Sequence, residues 1–236
     1  MTFWKKQPQA AKAEPPAPQR PEPLALIATG VCTLAGTGDY AAQGAVQLQI
    51  NGGRAHPELR TPVAGQGLQP VMTAPVEDAA FASATAPAER QLLLARIALG
   101  KLLETRPPEP TDVRTRVQVL LPPEASSRGR QLTQEAVWET LVEAFPATAA
   151  YAWGFTRTAT GGVQALIDCL APEAEEENWQ QLILLGADSL LDARTVLALA
   201  QANRIMTAGA GQGIVPGEAA GAVALTRTPG AQPVRA

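Results

Sequence analysis

The sequence predicts an α/β fold, a sheet with parallel members joined by right-handed crossovers. Three observations predict it. Apolar runs of strand length alternate with runs of helix length from Leu24 to Thr226, and each intervening helix returns the chain to the same end of a sheet. The chain has 236 residues, 46% of them apolar, enough to bury one sizeable core. The stretch from Tyr151 to Asp192 reads as strand, tight turn, helix and strand in immediate succession.

The elements follow in order. Residues 1–22 hold five prolines (Pro8, Pro15, Pro16, Pro18, Pro21) among Gln, Ala and Glu. Such a segment buries too little apolar surface to offset its ordering entropy, so it is expected as a disordered tail. Phe3 and Trp4 sit at its tip. Residues 23–228 form one domain, and 229–236 a frayed terminus. Leu24 to Leu34 is apolar on both faces, as a central strand covered on both sides would be. Residues 39–50 read as a short helix and then a strand. Residues 51–86 are rich in Gly, Pro and Ala and read as a long irregular loop. Pro87 to Arg106 is the clearest helix. Pro87 suits the first turn, Glu89 suits its positive end, and leucines cover most of its circumference. Arg116 to Leu121 is a strand stopped by Pro122 and Pro123. Gln131 to Phe145 is an amphipathic helix. Strands over Ala147–Phe155 and Leu182–Ala187 flank a helix over 160–170. Leu190 to Met206 is a further helix, 207–217 a glycine-rich loop, and Glu218 to Thr226 the last strand.

Composition excludes several function classes. The net charge of −3 and pI of about 5.3 give no general attraction to nucleic acid or an anionic membrane. Cys32 and Cys169 lie far apart with no Cys/His spacing, so no metal site is expected, and both read as buried thiols. The acidic run Glu173, Glu175, Glu176 and Glu177 reads as a solvated loop. His56, the sole histidine, sits in a loop flanked by Gly and Pro. No membrane span or signal peptide is visible, which makes the cytoplasm the expected location. Gly36-Thr-Gly38 lacks the third glycine of a dinucleotide site, and Gly209–Gly217 lacks the Lys-Ser/Thr of a phosphate loop, so no cofactor is expected.

Four motifs carry a more specific signal. They are the opening LALIATGVCTLAGTG, the turn Arg157-Thr158-Ala159-Thr160-Gly161, the segment LLGADSLLD at 184–192, and IVPGEAAGAVAL at 214–225. In this order they resemble the N-terminal half of β-ketoacyl synthases, of the thiolase-like superfamily. The resemblance covers most of residues 24–227. It implies a thiolase-like half-fold, a mixed and mostly parallel sheet with helices on both faces.

Two departures from the family pattern bear on function. The family's nucleophilic cysteine falls on Thr158. A thiol of pKa about 8.5 is readily lowered at a helix N-terminus, whereas a threonine hydroxyl needs an adjacent general base. His56 lies outside the matched motifs, and Cys169 is more than two turns into the helix. The family also repeats this unit, with the catalytic histidines in the second repeat, and only one repeat is visible here. The resemblance therefore implies a site without catalytic residues, in which Thr158 merely occupies the nucleophile position. One face of the helix over 160–170 and of the sheet is expected to be uncovered, and uncovered apolar faces mark interfaces. The interface candidates on that helix are Val163, Leu166, Ile167 and Leu170. In the family the strand before the nucleophile pairs across a dimer axis, which adds Tyr151, Trp153 and Phe155.

The expected function is accordingly a non-catalytic thiolase-like binding protein, an adaptor or chaperone, with no nucleic acid or membrane as partner. The expected protein partner is a thiolase-like chain, in a homo- or heterodimer, or a secreted effector, as for thiolase-like accessories of bacterial type VI secretion. The alternatives are a non-catalytic subunit of a heterodimeric β-ketoacyl synthase, and an acyltransferase using Thr158.

Overall fold

The computed structural model describes residues 24–48, 52–84, 86–106, 114–158, 162–169, 179–209 and 211–227. The expected tail (1–22), the frayed terminus from 229, the acidic run and Leu170 lie outside them. The main sheet has six strands in the order β2-β1-β8-β7-β5-β6. These are β1 (Leu24–Thr33), β2 (Gly36–Thr37), β5 (Thr115–Leu121), β6 (Ala152–Arg157), β7 (Gln181–Ser189) and β8 (Glu218–Arg227). The pairs β7–β5 and β5–β6 are parallel, while β8 runs antiparallel to β7 and β1 on either side. Four of the five long strands, β1, β5, β6 and β7, thus point the same way. The sheet is mixed and mostly parallel, with helices on both faces.

Helix α2 (Pro87–Thr105) lies across one face. Leu94, Ala98, Leu99 and Leu102 are buried against Cys32, Val117, Ile183, Leu185, Ala222 and Ala224, and each leucine so buried contributes about 2 kcal/mol. Gly30 lets helix and sheet approach closely. A Cβ there would stand 2.1 Å from the Ala98 carbonyl oxygen and 2.5 Å from the Leu102 nitrogen. Helix α4 (Gln134–Ala144) adds Val137 and Leu141 to this core. The opposite face carries α5 (Gly162–Cys169), which packs Leu166 onto Trp179, Leu182 and Leu225. Strand alternation explains the split, since Leu182 faces α5 while Ile183 and Leu185 face α2.

The sequence reading needs five corrections. First, residues 51–86 are not an irregular loop. They contain an antiparallel hairpin of β3 (Arg54–Val63) and β4 (Gly67–Thr73), which turns through the positive-φ glycines Gly65 and Gly67. Pro57, Pro62 and Pro70 masked the strand pattern, yet a two-stranded ribbon has only edges, where proline is tolerated. Val71 anchors the hairpin against Val196 and Ile205. Second, β1 is not central. Only the two-residue β2 lies outside it, and Leu26 is 49% exposed. Third, the strand expected from Ala147 begins at Ala152. Pro146–Ala150 form a 3-10 turn, closed by the Thr148 hydroxyl donating to the Phe145 carbonyl and by the Trp153 indole donating to the Thr148 carbonyl. Fourth, the helix expected over Gln131–Phe145 begins only at Gln134, as α4, because Thr133 caps it by accepting from Ala136 N–H; Gln131 instead ends a separate short helix, α3 (Ser127–Gln131). Fifth, the helix expected over Leu190–Met206 is shorter, α6 (Ala193–Gln201). Asp192 caps its start and Asn203, at φ 52°, turns the chain out of it. Between β2 and β3, α1 (Asp39–Gln47) takes the helical part of 39–50, and the strand expected after it falls at residues outside those described.

The Asp192 cap carries a pH signature. Burial pushes its carboxyl up, but donors from Thr195 and Ser127 outweigh burial and hold it below the usual carboxylate range. A depressed folded-state pKa contributes stability that is complete above the unfolded value of about 4 and is lost as pH falls through the folded value. Asp192→Ala is expected to cost about 1–2 kcal/mol at neutral pH. The loss should shrink in acid. Denaturant melts at pH 7 and pH 3 check this, and an equal loss at both would refute the capping account.

Candidate functional site

Parallel strands deliver their carboxyl ends to one end of the sheet, where α/β folds place their sites. Thr158 leaves β6 at that end. Its backbone N–H donates to the Leu121 carbonyl at 3.0 Å, extending the β5–β6 ladder by one residue. It lines a cavity of about 270 Å³ with Leu120, Leu121 and Pro122 after β5, Gly186, Ala187 and Asp188 on β7, and Ala219–Gly221 on β8. The residues between Thr158 and α5 lie outside those described.

Among the described residues on this wall Asp188 is the one that ionises. Its Oδ1 accepts from Ser189 N–H at 2.9 Å and Gln91 Nε2 at 3.3 Å, and lies 3.0 Å from Arg128 Nε. Loss of hydration raises its carboxyl above the ordinary value, only partly opposed by Arg128. Behind it, the fully buried Glu218 takes Arg90 Nε and Val76 N–H, both at 2.9 Å, the Ser189 hydroxyl at 3.2 Å, and a second contact from Arg90 Nη2. Arg90 also stacks over Phe81, 4.8 Å from the ring centroid. This brace ties α2, β7, β8 and the segment at Val76 together beneath the cavity. Arg157, beside Thr158, donates to the carbonyls of Pro122, Gly129 and Leu132 and so fixes the loop after β5.

The structure does not bring His56 to Thr158. His56 lines a different cavity, beside Arg54, Thr73 and Asp78, and its Nδ1 accepts from the N–H groups of Glu58 and Leu59. Cys32 is buried beneath α2, and burial, followed by the Asp78 and Glu218 charges, pushes its thiol up to about 11. It is a thiol, not a thiolate, at neutral pH. Among the described residues, no group of three His, Cys, Asp or Glu side chains is placed to hold a metal ion.

The interface candidates divide between two surfaces. Val163 and Ile167 on α5 are 74% and 55% exposed, while Leu166 points its packing at the sheet. Tyr151, Trp153 and Phe155 lie on the other face. They are half-buried against the α2 core, with the Trp153 and Phe155 rings stacked at 6.4 Å. Their strand, β6, is an edge of the sheet. Sequence reasoning missed Asp188, Gln91 and Arg128 as a cluster. Asp188 stood inside a recognised motif, but its partners on α2 and α3 come from distant segments.

The architecture has solved counterparts. The chain superposes on a β-ketoacyl synthase from Burkholderia phymatum with a TM-score of 0.61 and 13% identity, covering 88% of this chain and 59% of that one. The fold matches about three fifths of a ketosynthase. Two further ketosynthases cover the same 88% and 59%. One is described as a type II acyl-carrier protein in complex with its ketosynthase (TM-score 0.58, 13% identity), the other as the ishigamide ketosynthase/chain length factor (0.59, 15%). The chain therefore spans about three fifths of these ketosynthases, and some of them are solved with partner chains. No protein-family model matches the sequence, and no curated protein matches it. Among the described residues no helix is long and apolar enough to cross a membrane.

Proposed function

We propose that this ketosynthase-like half-fold is a non-catalytic binding protein, an adaptor or chaperone that assembles with another protein through the α5 face of its sheet. The exposure of Val163 and Ile167 carries the reading. The α2 face is covered by two helices, whereas α5 presents apolar side chains to solvent, the surface that association buries. Thr158 standing where the family has its cysteine supports a non-catalytic site, since a threonine hydroxyl is a far weaker acid than a thiol. The partner is a second thiolase-like chain or a secreted effector. A native mass spectrum of the protein, purified gently from its own cell, tests this. A second chain at fixed stoichiometry is the expected result, and a monomer throughout would defeat the reading.

The likeness to a ketosynthase/chain length factor favours a second reading, a non-catalytic subunit of a heterodimeric ketosynthase. It predicts that an acyl-carrier protein and a catalytic mate come with the chain. Acyl transfer by Thr158 itself is expected not to occur. Incubation with acyl thioesters should leave the intact mass unchanged. An adduct present in wild type and absent from Thr158→Ala would restore catalysis.

A further inference from the structure

Among the described residues lining the Thr158 cavity, Asp188 is the one carboxylate, and its contacts fall on one oxygen. Both hydrogen-bond donors that reach Asp188 (Ser189 N–H and Gln91 Nε2) converge on Oδ1, and the Arg128 charge makes its contact, 3.0 Å from Nε, with the same oxygen. Among the described residues none reaches Oδ2, and the side chain is 48% exposed. The wall around it is apolar or small, with Leu120, Leu121, Pro122, Gly186 and Gly221. A carboxylate stripped of part of its hydration, with one oxygen that takes no hydrogen bond from the described residues, gains from a cation or N–H donor that brings its own apolar stem.

We propose that this cavity receives a cationic side chain, arginine or lysine, from the partner protein, and pairs it with Asp188 Oδ2. The inference rests on the protein-binding reading above and names what the partner presents. The cavity holds about 270 Å³, at the small end for ligand pockets and of a size to take one long side chain. Chemistry selects the cation. Methylene stems of arginine and lysine pack on apolar walls while their heads seek an acceptor, and among the described residues lining the cavity Asp188 is the only charged acceptor. A metal ion is disfavoured, because among the described residues lining the cavity no second His, Cys, Asp or Glu joins Asp188 to make a coordination shell. The exposed Val163 and Ile167, on the same face of the sheet, supply the apolar surround a protein partner would cover.

The test titrates N-acetyl-argininamide and its neutral analogue N-acetyl-citrullinamide into the full chain, read by amide NMR. The arginine probe should shift Thr158, Gly186, Asp188 and Gly221, and bind roughly tenfold tighter than the citrulline probe. Asp188→Asn should erase that difference. Because that change also strips Arg128 of its partner, Gly221→Val serves as a second variant. A Cβ at Gly221 meets nothing within 4 Å, so valine should fill the cavity without disturbing the fold and abolish binding. No binding at millimolar probe, equal affinity for the two probes, shifts elsewhere, or binding that survives Gly221→Val would each overturn the proposal. Native mass spectra of wild type and Gly221→Val separate this inference from the reading beneath it. A partner retained equally by both sinks the cation site and leaves the protein-binding reading standing. If neither carries a partner, that reading fails and the titration alone decides the cavity. Self-association lost in Gly221→Val would identify the partner as a second copy.

Discussion

Glu218→Ala is expected to lower stability by about 3–5 kcal/mol, the cost of breaking a buried ion pair from one side. The Glu218 side chain is completely buried and serves four donors from three separate elements. Its removal strands the Arg90 guanidinium, 19% exposed, together with the Val76 N–H and the Ser189 hydroxyl. The pair itself is not the source of stability, since desolvation offsets most of its Coulomb gain. Replacing both partners, as Arg90→Met with Glu218→Met, is therefore expected to recover a large part of the loss. Denaturant melts of the two variants check this. A single-variant loss below about 1 kcal/mol would mean that Glu218 is no brace. The cavity should also suffer, because Ser189 links the brace to the backbone beside Asp188.

The second large effect is on assembly. Val163→Glu with Ile167→Glu is expected to abolish partner binding, since burying a Val or Ile side chain is worth about 1.5–3 kcal/mol and two buried carboxylates would add desolvation cost. Stability of the isolated chain should change little, because both side chains are already exposed and Leu166 makes the contact with the sheet. Native mass spectrometry of the double variant is the measurement. Undiminished association would move the interface to the β6 edge, where Ala152→Pro should then remove it.

Much of the fold was legible in the residues. The helix from Pro87, the strands after Thr115 and Gln181, and the last strand from Glu218 emerged because each combines a long apolar run with clear stops. The hairpin at Arg54–Thr73 did not, because three prolines and a glycine turn hide a strand that needs pairing on only one side. The start of β6 was misplaced for a related reason. Ala147–Ala150 carry no pattern against strand, and the turn there is held by the Thr148 hydroxyl on the Phe145 carbonyl and by the Trp153 indole on the Thr148 carbonyl. Neither contact has a signature in sequence spacing.

For the site, the sequence by itself determined that Thr158 stands at the end of a strand, that its turn leads into an apolar helix, and that no histidine is near it in the motifs. These are facts of residue type and short-range order. Only the tertiary structure decided that His56 belongs to a different cavity, that Cys32 is held as a thiol beneath α2, and that Asp188 meets Gln91 and Arg128. The reason is physical. Position 188 is joined to 91 and 128 by crossovers through the sheet, and the direction, burial and donor count of a carboxylate depend on which distant elements pack over it. Charge pairing and loss of hydration, the forces that give this cavity its chemistry, act through space and leave no trace along the chain.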